Sequence, residues 1–556
     1  MNEDNNKIKK GFSIEISNEK VQINSFVEDT YDSFLYEDNH IVLLLEGVIL
    51  NKQKLLTQFA KTSFANWMLD CFVQKKIQFL QDLEGEFRGV VWDKKENKLF
   101  VFTNPTATQR VFYSKWDNTI FIDTNLVRLS QNIKKKNIKI SPNIDGIYQL
   151  LCLTGMLENS TIIENVFKVY DGHFLEIDLK SGGILEKSYF SHQHEPYYNK
   201  SKEKALGEMN EVFTESVLLE YQKDNEYKTG HLALLSGGLD SRVAMMVATR
   251  NGLQPNHAFC FSQSGYLDEK ISRKIASDFA IDYEFVPLDG GVFLNKIDQL
   301  TEISEGLVLY LGAIHVQHAM DNLQFQDFSL FHSGQIGDGI LGGFNSMPKK
   351  EKPSEYKLVF NKDFSQKITN KFQESINKYP SQETCLIRNL AFNRVLLGAH
   401  VLQQKAYQTS PFMTKDFMKF AISLPESWKY KHQFYIEWIK KYCPEATQYT
   451  WERTLLKPNA TWKTNFGDLW VKRPFVKMHD WLLKTPQKAS MYPYQYYFDN
   501  DSQLQKFYEN YFKTNIDRLW SYPELKTDVI NLFQSPKFYS KAQAVNILSI
   551  FKLFFS

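Results

Sequence analysis

The stretch His231-Leu-Ala-Leu-Leu-Ser-Gly-Gly-Leu-Asp-Ser-Arg242 brings an apolar run, two adjacent glycines, two serines and a carboxylate into one short span. The run ending at Leu235 has the form of a buried parallel strand, and Val243-Ala-Met-Met-Val-Ala248 begins a helix. Gly237 and Gly238 let backbone amides come close to an anion, and amides at a helix start face phosphate oxygens. The chemistry offered is the holding of a phosphate or pyrophosphate group. The Walker-type spacing and its terminal Gly-Lys-Ser/Thr are missing. A second glycine-rich stretch, Phe331-His-Ser-Gly-Gln-Ile-Gly-Asp-Gly-Ile-Leu-Gly-Gly-Phe344, carries the carboxylate Asp338.

These residues need a scaffold. His257–Ser262 reads as the next parallel strand, Asp268–Ala276 as a helix and Tyr283–Val286 as a third strand, an alternation that implies a doubly wound sheet with ligands at the carboxyl ends of its strands. Asp268 and Glu269 are read equally well as part of the site or as a helix-start pair favoured by the dipole. Upstream, Ile41–Leu45, Gly89–Trp92, Lys98–Thr103, Val111–Tyr113 and Thr119–Asp123 read as short strands, with helical spacing over Lys54–Phe79. The chain of 556 residues divides into two domains, 1–190 and 191–556. Ala544–Phe555 reads as a terminal helix packed on its own domain or a partner rather than on a membrane, because its polar face is nearly bare of Lys and Arg.

A net charge of +2 from 66 basic and 64 acidic side chains gives no general attraction to nucleic acid or anionic membrane. The five cysteines are scattered, form no Cys-x-x-Cys pair and argue against a zinc or disulfide framework. Cys71 falls in the helical pattern and reads as structural. With a polar start and no long apolar run, a soluble cytoplasmic protein is expected.

Ser236-Gly-Gly-Leu-Asp-Ser241 resembles the signature of the N-type ATP pyrophosphatases, which activate a carboxylate as its adenylate. Leu80-Gln-Asp-Leu-Glu-Gly-Glu-Phe-Arg-Gly-Val-Val-Trp-Asp93 and Leu99–Tyr113 resemble segments of the class II glutaminase domain, and the whole chain resembles the asparagine synthetase family. The resemblance implies an α+β N-terminal antiparallel sandwich of Ntn type. An α/β domain with a doubly wound parallel sheet and a helical C-terminal extension would follow. It also implies ATP and Mg²⁺ as cofactors. Leu235, Ser236, Gly237, Gly238, Leu239, Asp240, Ser241 and Gly334 would cradle the nucleotide, and Phe261 and Ser262 would flank adenine and ribose. Asp240 and Asp338 would hold the metal through hard oxygen ligands. Lys457, with Arg453 second, falls near the family's lysine that stabilises the pentacoordinate phosphate, and Gln335 and Tyr407 fall at substrate positions.

The resemblance breaks where glutamine chemistry belongs. Asn2 stands where the family has its nucleophilic cysteine, and the nearest match to the family's Cys-Gly-Ile start, Lys10-Gly-Phe-Ser13, places lysine there. Glu46-Gly47 replaces an Asn-Gly oxyanion pair, and Thr103-Asn104 replaces Arg-Asp. Gln335 replaces a glutamate or tyrosine of relatives and cannot exchange a proton at working pH, and Gly339 replaces a glutamate. Tyr407 and Thr409 replace a glutamate and an arginine. The expectation is an ATP-dependent amide-bond-forming synthetase whose amine arrives ready-made, acting on a small-molecule or peptide carboxylate. Macrolactam closure of the lasso-peptide kind, with a precursor peptide and a leader peptidase as partners, is one form of this; asparagine synthase-like use of free ammonia is another. A non-catalytic nucleotide-binding scaffold is the reading from another class. The sequence names neither carboxylate nor amine.

Overall fold

The structure is a computed structural model that describes residues 10–27, 31–192, 198–466 and 490–556, with residues 471 and 474. Eleven strands build the N-terminal part: β1 (Phe12–Ser17), β2 (Lys20–Ser25), β3 (Phe34–Glu37), β4 (Ile41–Ile49), β5 (Gly85–Asp93), β6 (Lys98–Thr103), β7 (Phe112–Trp116), β8 (Thr119–Asp123), β9 (Val166–Lys168), β10 (His173–Asp178) and β11 (Gly183–Ser188). They form two antiparallel sheets, ordered β2-β1-β8-β7-β9 and β11-β10-β6-β5-β4-β3. The expected strands at Lys98–Thr103 and Thr119–Asp123 match β6 and β8.

Strand alternation sorts the side chains into layers. Leu44, Val90, Leu99 and Val101 meet Phe12, Ile14 and Ile122 between the sheets, while Leu43, Leu45, Val91, Phe100 and Phe102 face helix α1 (Phe64–Lys75) on the other side. With both faces covered, β4 is buried almost end to end. The helical spacing over Lys54–Phe79 resolves into Lys52–Gln58, α1 and a tighter turn at Lys76–Asp82. Ala60 with φ of 50° marks the break between the two helices. Cys71 is buried within α1, and burial pushes its thiol pKa up.

The second part holds five strands, β12 (Gly230–Leu234), β13 (His257–Ser262), β14 (Asp282–Pro287), β15 (Phe328–His332) and β16 (Tyr407–Thr409), all parallel in the order β14-β13-β12-β15-β16. The order reverses between β12 and β15, where a doubly wound sheet opens a crevice at its strand ends. Its principal helices are α2 (Lys202–Tyr227), α3 (Leu239–Arg250), α4 (Leu267–Asp278), α5 (Gln433–Tyr442) and α6 (Phe538–Phe554). The fold class is as the sequence implies. Helix α6 is buried along nearly its whole length among other helices of the chain, and among the described residues no helix is long and apolar enough to cross a membrane.

The two parts share one continuous core, in which Phe121 and Ile147 from the first pack in the same cluster as Val243 and Ile547 from the second. Buried ion pairs cross the seam, Arg110 with Glu305 at 3.0 Å and Lys223 with Asp32 at 2.8 Å. Arg388 grips Asp171 with two hydrogen bonds, 2.6 Å from Nε and 3.1 Å from Nη2. Burial alone would raise the Asp171 pKa, but the charge and hydrogen bonds of Arg388 outweigh it and hold the carboxyl at about 2. Arg388→Ala should therefore lower unfolding free energy by about 3 kcal/mol at neutral pH, measured by urea denaturation. The Asp171 contribution is present above its ordinary value of 3.8 and lost as pH falls through about 2, so the deficit should shrink over that window.

Candidate functional site

Leu235 and Leu239, both buried, anchor the two ends of the loop after β12 in the core, so their side chains pack and only their backbone borders the site. Between them the loop is tied by its own hydroxyls. Ser241 Oγ accepts the Ser236 N–H at 3.1 Å, and Ser236 Oγ accepts the Gly238 N–H at 3.1 Å. Helix α3 starts at Leu239 with Gly238 as its cap and no side-chain oxygen on its first amides. The Gly237 amide donates to Asp268 at 2.6 Å. Asp268, left open between two readings, is thus a strut for this loop, whereas Glu269 accepts the Gly265 N–H and closes its own helix start.

Arg242 is fully buried and faces carbonyls rather than a carboxylate. It donates to Gly237 O at 2.7 Å and Gly238 O at 2.8 Å, and to Thr450 O, Ala446 O and Tyr449 O at 2.8, 3.3 and 3.3 Å. Burial lowers its pKa to about 10, which leaves it charged at neutral pH. One guanidinium therefore fixes the loop and also fastens the segment that leads to Arg453 and Lys457. The Glu452 amide donates to Gly237 O at 3.2 Å, and Tyr266 donates to Glu452 Oε1 at 2.6 Å, closing the same junction.

The segment after β15 meets this loop head on. The Asp338 amide donates to Asp240 Oδ2 at 2.6 Å, and Tyr435 from α5 donates to Oδ1 at 2.9 Å. Burial, reinforced by the neighbouring Asp338 carboxylate, pushes the Asp240 pKa up to about 7. The Asp338 side chain is half exposed and is held by Arg453 Nη1 at 2.8 and 3.1 Å, with His432 Nε2 at 3.3 Å. Two carboxylates from the ends of neighbouring parallel strands thus share one corner, an arrangement able to bind a hard dication. The approach requires glycine, since a Cβ at Gly334 would lie 2.4 Å from the Ser241 nitrogen and one at Gly337 would lie 2.8 Å from Asp240 Cγ.

The remaining expected residues divide. Gln335 is half-buried beside this corner, its carbonyl accepting from Ser410 Oγ at 3.0 Å. Ser262 is buried at the end of β13 and donates to Gln263 O at 3.0 Å, while Phe261 packs 6.0 Å from His315. Lys457 is exposed. Tyr407 does not join Gln335. It starts β16, and its ring meets Tyr31 of the N-terminal part at 5.0 Å, edge to face, so it belongs to the seam.

A glutamine amidotransferase domain model matches residues 4–190, and an asparagine synthase model matches residues 208–403. Through these two domains in turn the chain is similar to the asparagine synthetases. Glutamine-hydrolyzing asparagine synthetase 2 of Bacillus subtilis (strain 168) is 27% identical over 265 residues, covering 44% of this chain and 34% of that protein. A probable glutamine-hydrolyzing asparagine synthetase of Dictyostelium discoideum is 24% identical over 349 residues, covering 57% and 56%. The chain thus spans between a third and just over half of the length of these curated relatives. Among solved structures, glutamine phosphoribosylpyrophosphate amidotransferase from B. subtilis, complexed with ADP and GMP, overlaps with a TM-score of only 0.23 at 9% identity, over 69% of this chain and 91% of that one.

In the N-terminal part, the corner around Gly11 is filled by side chains. A Cβ on Gly11 would lie 1.9 Å from Thr124 Oγ1 and 3.0 Å from Arg88 Nη2. Glu46 pairs in the interior with Arg88, Nε to Oε2 at 2.7 Å, and Arg88 also donates to Arg110 O and Thr124 O. Asn104 donates to Thr106 Oγ1 and Thr108 Oγ1 at 3.0 and 2.8 Å, in a network that includes Glu86, whose pKa burial pushes up to about 8. A cavity lined by Glu86, Asn104 and Glu220 measures about 10 Å³, space for one water.

Sequence reasoning missed Arg242, Tyr435 and His432. An arginine one residue past the loop, at the apolar start of a helix, is a signal for the first, whereas the other two come from distant segments with no motif. Gly334→Ala should cost about 1–3 kcal/mol in urea denaturation because backbone rather than a flexible tip must move. Gly312→Ala, with nothing within 4 Å of its Cβ, is the near-neutral control.

Proposed function

We propose that this chain is an ATP-dependent ligase that activates a carboxylate as its acyl-adenylate and passes the acyl group to an amine supplied free. The observation that carries this reading is the meeting of Asp240 and Asp338 at the switch point of a parallel sheet, beside a helix start whose first amides carry no side-chain cap. Both side chains offer hard oxygen donors that suit Mg²⁺, and the buried, strained negative charge at Asp240 is what a dication would relieve. When bound, the ion would neutralise charge on the phosphates.

The chain's own residues supply the rest. Amides at the start of α3 would receive the pyrophosphate, and Ser236 and Ser241 would orient it. Phe261 and Ser262, at the neighbouring strand end, would flank adenine and ribose. An oxygen of the substrate carboxylate attacks the α-phosphorus as its bond to the bridging oxygen breaks, releasing pyrophosphate. The amine then attacks the acyl carbon, AMP leaves with the bonding electrons, and the nitrogen gives up a proton. Arg453 and Lys457, on the segment fastened by Arg242, are the cations available to the α-phosphate. Gln335 would orient substrate without exchanging a proton.

Free amine rather than glutamine is favoured by the Glu46–Arg88 pair, which sets a carboxylate where an oxyanion would need a donor, and by the crowding at Gly11. Pyrophosphate release should depend on ATP, Mg²⁺ and added carboxylate and amine, and Asp240→Asn or Asp338→Asn should lower it about 100-fold or more with circular dichroism unchanged. Nucleotide binding without turnover on any carboxylate would overturn the ligase reading. Glutamate released from glutamine in step with pyrophosphate would overturn the free-amine reading alone.

A further inference from the structure

Behind the strand ends, away from the two loops, lies a second constellation. His231 in β12 and His332 at the end of β15 both point at Asp224 on α2. His231 Nδ1 lies 2.9 Å and His332 Nε2 2.5 Å from Asp224 Oδ2, and the three donor atoms all fall within 4.8 Å of one another. All three residues are buried. Asp224 Oδ1 has no hydrogen-bond partner among the described residues. Glu220, one turn earlier on α2 and equally buried, has neither oxygen in a hydrogen bond, and its Oε2 stands 3.9 Å from His332 Nδ1. Tyr221 stacks on the His332 ring at 3.8 Å, and Thr409 Oγ1 lies 3.4 Å from Nδ1.

We propose that Asp224, His231 and His332 hold a structural zinc ion, with Glu220 as the outer carboxylate that orients His332. Two imidazoles and a carboxylate are a donor set zinc accepts at about 2.0–2.2 Å, and the unpartnered Asp224 Oδ1 offers a fourth donor atom. Tetrahedral bonds of that length need ligand atoms roughly 3.3 Å apart, so the present 2.5 and 2.9 Å must open by less than an ångström. A carboxylate facing the second ring nitrogen of a ligating histidine, as Glu220 faces His332, is the usual outer partner of such a ligand. Two buried carboxylates, each with an unbonded oxygen, share the single His332 ring between them, and a dication bound here would balance both charges.

The position gives the ion a purpose. His231 lies five residues before Ser236 and His332 six before Asp338 (236 − 231 = 5; 338 − 332 = 6). Zinc at this point would staple β12 and β15 to α2 and so fix the two strands that carry both loops. It is separate from the Asp240–Asp338 corner and does not depend on the reading of that corner.

The test uses the full chain, stripped with a strong chelator and titrated with Co²⁺ under visible absorption. A tetrahedral cobalt band that saturates at one equivalent, is displaced by Zn²⁺ and accompanies a rise in thermal midpoint is expected. The band should persist in Asp338→Asn and be lost in Asp224→Asn and His332→Gln, while Glu220→Gln should weaken Zn²⁺ about tenfold or more. A folded, stripped wild-type chain that takes up neither Co²⁺ nor Zn²⁺ overturns the proposal and leaves a hydrogen-bonded His–Asp–His triad, whatever the variants do. A band that survives in Asp224→Asn overturns it equally, and one lost in Asp338→Asn would assign the ion to the other corner.

Discussion

The hydrogen bond from the Asp338 amide to Asp240 Oδ2 is the constraint on which the site depends. It joins the loops that follow two adjacent parallel strands, at the place where the strand order of the sheet reverses. Such a bond needs backbone to approach side chain closely, which forces glycine at positions 334 and 337. It also holds Asp240 buried, where the Asp338 amide, the Tyr435 hydroxyl and the charge of Arg453 ease its carboxylate. The rigid elements around it follow from this requirement. Leu235 and Leu239 pin the loop ends in the core, Arg242 holds the loop carbonyls, and Asp268 holds the loop amide.

The N-terminal part acts on this corner through packing. Lys415, at the start of the helix after the Ser410–Phe412 turn, donates its amide to the buried Glu84 and its ammonium to Gln81 O. Tyr407 seats β16 against Tyr31, and β16 is the strand that pairs with β15. Ser410 in turn bonds the carbonyl of Gln335. The sandwich is thus a buttress for the edge of the parallel sheet. Its interior is stabilised by its own ion pairs, among them Glu46 with Arg88 and Asp123 with Arg128.

The layout was legible wherever local pattern and packing agree. β6, β8 and β13 match because short β-branched and aromatic runs sit between turn residues, and the strand–loop–helix form around Ser236 matches because glycines, hydroxyls and a helix start are contiguous. The helical pattern over Lys54–Phe79 read as one element because its apolar spacing continues across Ala60, where a left-handed residue splits it without any proline or glycine. Tyr407 is a different case. A match of motif gives a residue's place in the chain but not the face it turns to, and a three-residue edge strand has too little alternation to decide. Arg242 and Tyr435 act through backbone carbonyls and a distant helix, which no spacing rule in the sequence encodes.

The two aspartates are not equivalent, and their surroundings decide how each serves. Asp338 is half exposed and its partner Arg453 is 40% exposed, so their ion pair is worth no more than about 1 kcal/mol and yields readily to another cation. Asp240 is buried with a pKa near neutrality, about 7, because water is excluded and a second carboxylate is close, effects that the charge of Arg453 offsets only in part. On the proposed reading, a dication at this corner would gain most from Asp240, whose charge is poorly balanced, and would displace only a weak contact at Asp338. A released Arg453 would stay tethered, because Arg242 binds Thr450 O a few residues before it. On the proposed reading, the event that would seat the metal would thus also free a guanidinium beside the phosphates, coupling two positive charges at one corner.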